Sequence, residues 1–148
     1  MPKIGFFGTY DATIDDKGRV RLPIKFKDQL VGDFYVMQGS GNFLCVYPEE
    51  SWNALTEAVL KKDSLDEDVE LFRRSLFGNT VEGKIDNAGR VLIPQKQRLY
   101  ANLTKELAVV GNYDHFEIWD AATLNDFDYS SAKVRSELQK KVANKKSE

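Results

Sequence analysis

Apolar and polar side chains alternate along "TYDATI" (9–14) and "TVEGKI" (80–85), the pattern of half-buried strands. A charged stretch follows each, "DDKGR" (15–19) and "DNAGR" (86–90), and reads as a turn. "RVRLP" and "RVLIP" then predict second strands that stop at proline. On these strands Val20 and Leu22 share the core face, and Val91 and Ile93 do the same in the second stretch. Arg19 and Arg21 point outward together, and their later counterparts are Arg90 and Leu92. Proline suits the first helical position, so "PIKFKDQL" and "PQKQRLYANL" predict short helices. "FYVM" with "FLCVY", and "ELAVV" with "HFEIW", predict strand pairs around the turns "GSGN" (39–42) and "GNYD" (111–114).

Longer helices fill the rest. Pro48 and two glutamates open one at about 49–62, with Trp52, Leu55 and Val59 on one face. Ser64 predicts the cap of the next, with Glu67 completing a capping box, and Leu65, Val69, Phe72 and Leu76 recur at helical spacing. Its acids, Asp66, Glu67 and Asp68, lie at the start and Arg73 and Arg74 near the end, as the helix dipole prefers. A last helix is expected over about 120–143, where Val134, Leu138 and Val142 form a stripe.

The layout is written twice. Residues 9–30 set against 80–101 agree at eight of 22 positions: Thr9, Ile14, Asp15, Gly18, Arg19, Val20, Pro23 and Lys25. Chance would give about one. After a one-residue shift "VYPEESW" (46–52) parallels "IWDAATL" (118–124). Two copies predict a pseudo-two-fold pair and not a solenoid. A unit of roughly 70 residues buries too little surface alone, so the copies should share a core or a partner.

Composition changes this picture little. The chain has 148 residues, 42% hydrophobic and 30% charged, as a globular protein does. The single Cys45 makes no internal disulfide, which fits a reducing compartment. The opening residues lack the apolar run of a signal peptide and no segment is suited to span a bilayer, so a cytoplasmic protein is expected. A net charge of −2 argues against a non-specific nucleic-acid coat. The charge is blocked, however. Residues 17–27 carry Lys17, Arg19, Arg21, Lys25 and Lys27 and no acid. Residues 49–70 hold eight acids against two lysines, and 133–148 hold six bases against two acids. A solvated face accounts for the last block.

The repeated turn has readable chemistry. Asp15 can accept bonds from main-chain N–H groups further on, and Gly18 can take a positive φ. Arg19 would then stand at the sheet rim on a stiff support. Its guanidinium suits a phosphate or the O6/N7 edge of guanine. The competing reading is a structural Asp–Arg pair that closes the loop, and for Arg90 that reading is preferred. For Arg19 both stand, and the neighbouring Lys17 and Arg21 tip it toward an anionic partner. Enzyme chemistry finds no footing, because His115 and Cys45 are the sole histidine and cysteine. No metal-ligand spacing appears in the sequence. His115 is expected in a solvent-facing turn and Cys45 as an inert buried thiol. The aromatics fall at strand and helix core positions, so packing accounts for them better than base stacking.

"FFGTYDATIDDKGRVRLP", "DNAGRVLIP", "LTKELAVVGNYDHFEIWD" and their spacing resemble the MraZ family, bacterial transcription regulators related to AbrB-type DNA-binding proteins. The resemblance spans about residues 5–127. It implies an α+β fold in which two tandem AbrB-like swapped-hairpin repeats form one small β-barrel flanked by helices. The expected division is repeat 1 at 5–53, a helical connector at 54–76, repeat 2 at 77–127, and a helical or disordered basic tail at 128–148. It further implies a homo-oligomeric, typically octameric ring. The ring would bind double-stranded DNA at promoter direct repeats upstream of the division and cell-wall gene cluster, its own gene included, in the cytoplasm and at the nucleoid. The family's important arginine falls on Arg19. The DNA-contacting set is then Arg19, Lys17, Arg21, Gly18, Lys25 and Lys27, while Asp15, Asp86, Gly89 and Arg90 are motif residues with a structural part. No catalytic residue, metal, cofactor, small-molecule substrate or membrane contact is expected. An AbrB-like antitoxin-type interaction module is the alternative.

Overall fold

The computed structural model describes residues 5–145. The first copy runs β1 (Thr9–Thr13), β2 (Arg19–Arg21), α1 (Ile24–Lys27), β3 (Phe34–Gln38) and β4 (Leu44–Pro48). Two helices follow, α2 (Glu49–Leu60) and α3 (Glu67–Gly78). The second copy repeats the order as β5 (Val81–Glu82), β6 (Arg90–Leu92), α4 (Gln95–Tyr100), β7 (Glu106–Gly111) and β8 (Phe116–Asp120). The chain closes with α5 (Ala121–Asn125) and α6 (Ala132–Ala143). The fold is therefore a mix of helix and strand built on two tandem repeats. No helix among the described residues is long and apolar enough to cross a membrane.

The copies interleave. A six-stranded antiparallel sheet runs β1-β7-β8-β4-β3-β5, and β2 pairs with β6 in a second ladder. The first strand of each copy thus lies against the third strand of the other: Tyr10 faces Val109, and Val36 faces Val81. Two registers mark the pseudo-two-fold axis. Val20 pairs with its own counterpart Val91, and Cys45 with its counterpart Glu117. Isolated bridges Ile14–Val20 and Ile85–Val91 carry the chain from one ladder to the other on both sides.

One core serves both copies, as their small size requires. Val20, Leu22, Phe26, Phe34 and Val36 from the first copy meet Val91, Ile93, Leu107, Val109, Phe116 and Ile118 from the second, all buried. Phe6, Phe26 and Phe116 pack ring on ring, with centroids 5.1–5.2 Å apart. The one large buried amide among the described residues is fully used. Gln97 Nε2 donates to the Val36 and Asn79 carbonyls, 2.9 Å each, and its Oε1 accepts from Gln38 Nε2 at 2.9 Å. This bonds α4 to the other copy's β3 and to the end of α3.

Several local expectations are corrected. Pro23 and Pro94 stand just before their helices and not inside them, because their ψ angles of 139° and 156° are extended, whereas Pro48 precedes its helix as expected. The cap of α3 is Asp66, not Ser64, and its carboxylate accepts from the Asp68 and Val69 amides at 2.8 and 3.3 Å. The single helix expected over 120–143 is two helices. Ser131 accepts from the Val134 amide and restarts the chain as α6, after Phe127 has turned back toward Trp119 at 5.8 Å between centroids. The stripes on α3 and α6 bury nothing completely: Leu65, Phe72, Leu138 and Val142 are exposed. Part of the expected basic tail, residues 146–148, lies outside the described residues.

Candidate nucleic-acid interface

Both charged turns close in the same way. Asp15 Oδ1 accepts from the Lys17 and Arg19 amides at 3.0 and 2.8 Å, and Oδ2 takes Arg19 Nε at 2.7 Å. Asp86 repeats this with the Ala88 and Arg90 amides at 3.0 and 2.9 Å and with Arg90 Nε at 2.9 Å. The glycines supply the bend, with φ of +83° at Gly18 and +78° at Gly89. Bonds from the Arg19 main chain, then the Arg19 side chain and Lys17 amide, hold the Asp15 carboxyl below its usual range against partial desolvation. Asp86 is lowered likewise, first by the Arg90 amide and then by Ala88 and the Arg90 guanidinium. Ion pairs this open to solvent are weak, so they shape the loops more than they stabilise the fold.

The β2–β6 ladder sets the turns side by side. Arg19 lies opposite Leu92 and Arg21 opposite Arg90, and Arg90 Nη1 approaches Asp15 Oδ2 to 3.9 Å. The structural Asp–Arg pair therefore exists at Arg19 as well as at Arg90. In both it uses Nε, and among the described residues the terminal nitrogens of Arg19 take no other hydrogen-bond or ion partner. Those nitrogens are the donors a phosphate or guanine edge requires.

The basic run 17–27 does not stay together. Lys17 and Arg19 belong to the first turn. Arg21 crosses to the second, where Nη1 donates to the Ala88 carbonyl at 3.1 Å. Lys27 also lies on the second turn, its side chain 3.2 Å from where a Cβ on Gly89 would sit. Its counterpart Arg98, on α4, lies against Gly18 in the first turn, 2.8 Å from the equivalent point. The second turn thus carries more cations than Arg90, because each copy's helix lays its cation on the other copy's turn. Arg98 escaped the sequence analysis, although the 71-residue offset carries Lys27 onto it. Lys25 is exposed on α1. Together the paired turns carry Lys17, Arg19, Arg21, Lys27, Arg90 and Arg98 against Asp15, Asp16 and Asp86.

His115 is corrected too. Its ring stacks on Tyr47 at 4.4 Å and 6°, and its side chain is 12% exposed, because it closes the hairpin over the sheet and does not face solvent. Cys45 is buried as expected, and desolvation, then Glu117 and Asp114, push its thiol up to about 12.

Interleaved strands, a shared core and twin glycine turns under a pseudo-two-fold axis define a tandem-repeat protein of mixed helix and strand. A family model described as "MraZ protein, putative antitoxin-like" matches residues 6–75 and again 76–145. The chain belongs to the MraZ family. It is 38% identical over 133 residues to "Transcriptional regulator MraZ" of Rhodococcus opacus (strain B4), covering 86% of this chain and 93% of the relative. It is 36% identical over 137 residues to the protein of the same name from Nocardia farcinica (strain IFM 10152), covering 88% and 96%. The Rhodococcus jostii (strain RHA1) protein, also so named, is 38% identical over 133 residues. The relatives bear a regulator's name and not an enzyme's.

Proposed function

We propose that this chain is a transcription regulator that binds double-stranded DNA in a sequence-specific way through the face made by its paired turns. The observation that carries the reading is the side-by-side pair of rigid Asp-x-x-x-Arg loops presenting six cations against three carboxylates. Arg19 is the leading contact, with Lys17 at the loop tip beside it. Arg21, Lys25, Lys27 and Arg98 attract phosphates around them, and Gly18 shapes the loop. The names of the relatives support a regulator. A few cations neutralise few phosphates, so one subunit holds DNA weakly. A homo-oligomeric ring, octameric by resemblance, meeting promoter direct repeats upstream of the division and cell-wall genes and its own gene, raises the effective concentration and the affinity. Such a protein works in the cytoplasm, at the nucleoid. The bridges Ile14–Val20 and Ile85–Val91 support reading the two ladders as sides of one small barrel. Repeats at 5–53 and 77–127 with a connector at 54–76 and a basic tail from 128 fit that reading.

A footprint on the DNA upstream of the protein's own gene tests it. Wild type should protect spaced repeats, with affinity falling steeply in salt. Absence of protection at any salt rejects the proposal. The antitoxin-like description of the family favours one second reading, a protein-interaction module. Recovery of a stoichiometric protein partner together with no DNA binding would select it.

A further inference from the structure

The outer face of the large sheet gathers three ligand-type side chains drawn from both copies. Cys45 on β4 pairs directly with Glu117 on β8. His115 precedes β8 by one residue and shares the face of Glu117, two positions on. One ligand atom from each, a sulfur, a ring nitrogen and a carboxylate oxygen, all lie within 4.8 Å of one another. We propose that Cys45, His115 and Glu117 form a binding site for a zinc-type divalent cation.

The two copies differ here in a telling way. Phe43 stacks on Trp119 at 4.4 Å and 10°, and His115 stacks on Tyr47 at 4.4 Å and 6°. With the 72-residue offset of this segment, these are the same stack seen twice. A phenyl ring suffices for it in one copy, while the other places an imidazole there beside a thiol and a carboxylate. The imidazole is also oriented. His115 Nδ1 lies 2.7 Å from Asp114 Oδ1, the carboxylate–histidine arrangement that fixes a metal-binding ring and offers Nε2 to the ion. The Glu117 carboxylate is held in turn, since Oε1 accepts from Trp119 Nε1 at 2.9 Å and Oε2 from Asn112 Nδ2 at 3.3 Å.

A thiolate, an imidazole and a carboxylate suit Zn²⁺ and leave a fourth position for water. Glu117 also lines a cleft of about 630 Å³ with Phe43, Trp119 and Phe127, which gives the ion a way in. Because β4 and β8 belong to different copies and meet at the pseudo-two-fold axis, a bound ion ties the copies together there. The alternation between copies hid this site, since residues 45, 115 and 117 show no metal spacing in the sequence.

The test uses the untagged full chain, freed of metal by chelation and titrated with Zn²⁺ and Co²⁺. One equivalent of Zn²⁺ per chain is expected, and Co²⁺ should show a thiolate charge-transfer band. Cys45→Ser should abolish the band and weaken Zn²⁺ binding by about tenfold or more. Asp114→Asn, at an exposed position, should weaken it by about tenfold. Glu117→Gln, close in shape, should weaken it with the circular dichroism spectrum unchanged. Binding of less than one equivalent overturns the proposal. So does Zn²⁺ affinity that is equal in the wild type, Glu117→Gln and Asp114→Asn.

Discussion

The two charged turns are alike in their internal bonds and differ in what surrounds them. In each an aspartate binds two amides and an arginine Nε, and a glycine takes the positive φ. The second turn, however, is strapped down: Arg21 bonds the carbonyl of its tip residue Ala88. Symmetry would have residue 92 strap the tip of the first turn, but Leu92 has no donor to give. The first turn is held instead through Gly18, whose carbonyl accepts from the Ile93 amide at 2.7 Å, so among the described residues it presents a lysine at a tip that no side chain bonds, and the second an alanine at a tip that Arg21 bonds. A duplicated scaffold has kept its loop chemistry in both copies and divided its contacts between them.

Replacing the two glycines is expected to expose the difference most strongly. A Cβ on Gly18 would sit 2.6 Å from the Ile93 carbonyl oxygen, an atom of the backbone that cannot move aside. On Gly89 it would meet the Lys27 side chain at 3.2 Å, which can shift. Both changes strain a positive φ by about 1–2 kcal/mol. Gly18→Ala adds a clash, so its thermal midpoint should fall clearly further than that of Gly89→Ala. Equal shifts would mean that the turns are packed alike.

Leu92 is the next point of contrast. It is 42% exposed beside Arg19, and an exposed apolar side chain there is suited to a subunit contact. Leu92→Arg should restore the missing side-chain strap and change the size of the proposed assembly in light scattering. An unchanged particle removes Leu92 from any interface.

The smallest expected effect concerns acid. Both aspartates have folded pKa values lowered below the ordinary 3.8. Their contribution to stability is present above that value and is lost as pH falls through the lowered ones. Asp15→Asn and Asp86→Asn should each flatten the acid limb of the stability curve below about pH 4, to a similar extent. A steeper limb in either variant would contradict the bonding described.

These contrasts also show what the sequence made legible. Duplication, the shared core at Val20 and Val91, the glycine bends and the Asp–Arg closures follow from local pattern and turn chemistry. Three features do not, because they depend on which copy touches which. Arg21 and Lys27 stand in the first copy's sequence and serve the second copy's turn. Arg98 serves the first turn from the second copy. Cys45 stands about seventy residues before His115 and Glu117 and is joined to them only by the β4–β8 register. The helix ends were misplaced by competition among neighbouring caps, with Asp66 winning over Ser64 and Ser131 interrupting the last helix.

The central claim is that the first turn leads the grip on DNA although the second copies its shape. The direct measurement is a titration of a promoter fragment with Arg19→Ala and Arg90→Ala, each verified as folded by circular dichroism. One lost base contact costs about 1–3 kcal/mol, and in the proposed ring that loss would recur in every engaged subunit. Arg19→Ala should therefore abolish the complex, and Arg90→Ala should weaken it modestly. Equal losses, or a greater loss with Arg90→Ala, would contradict the account.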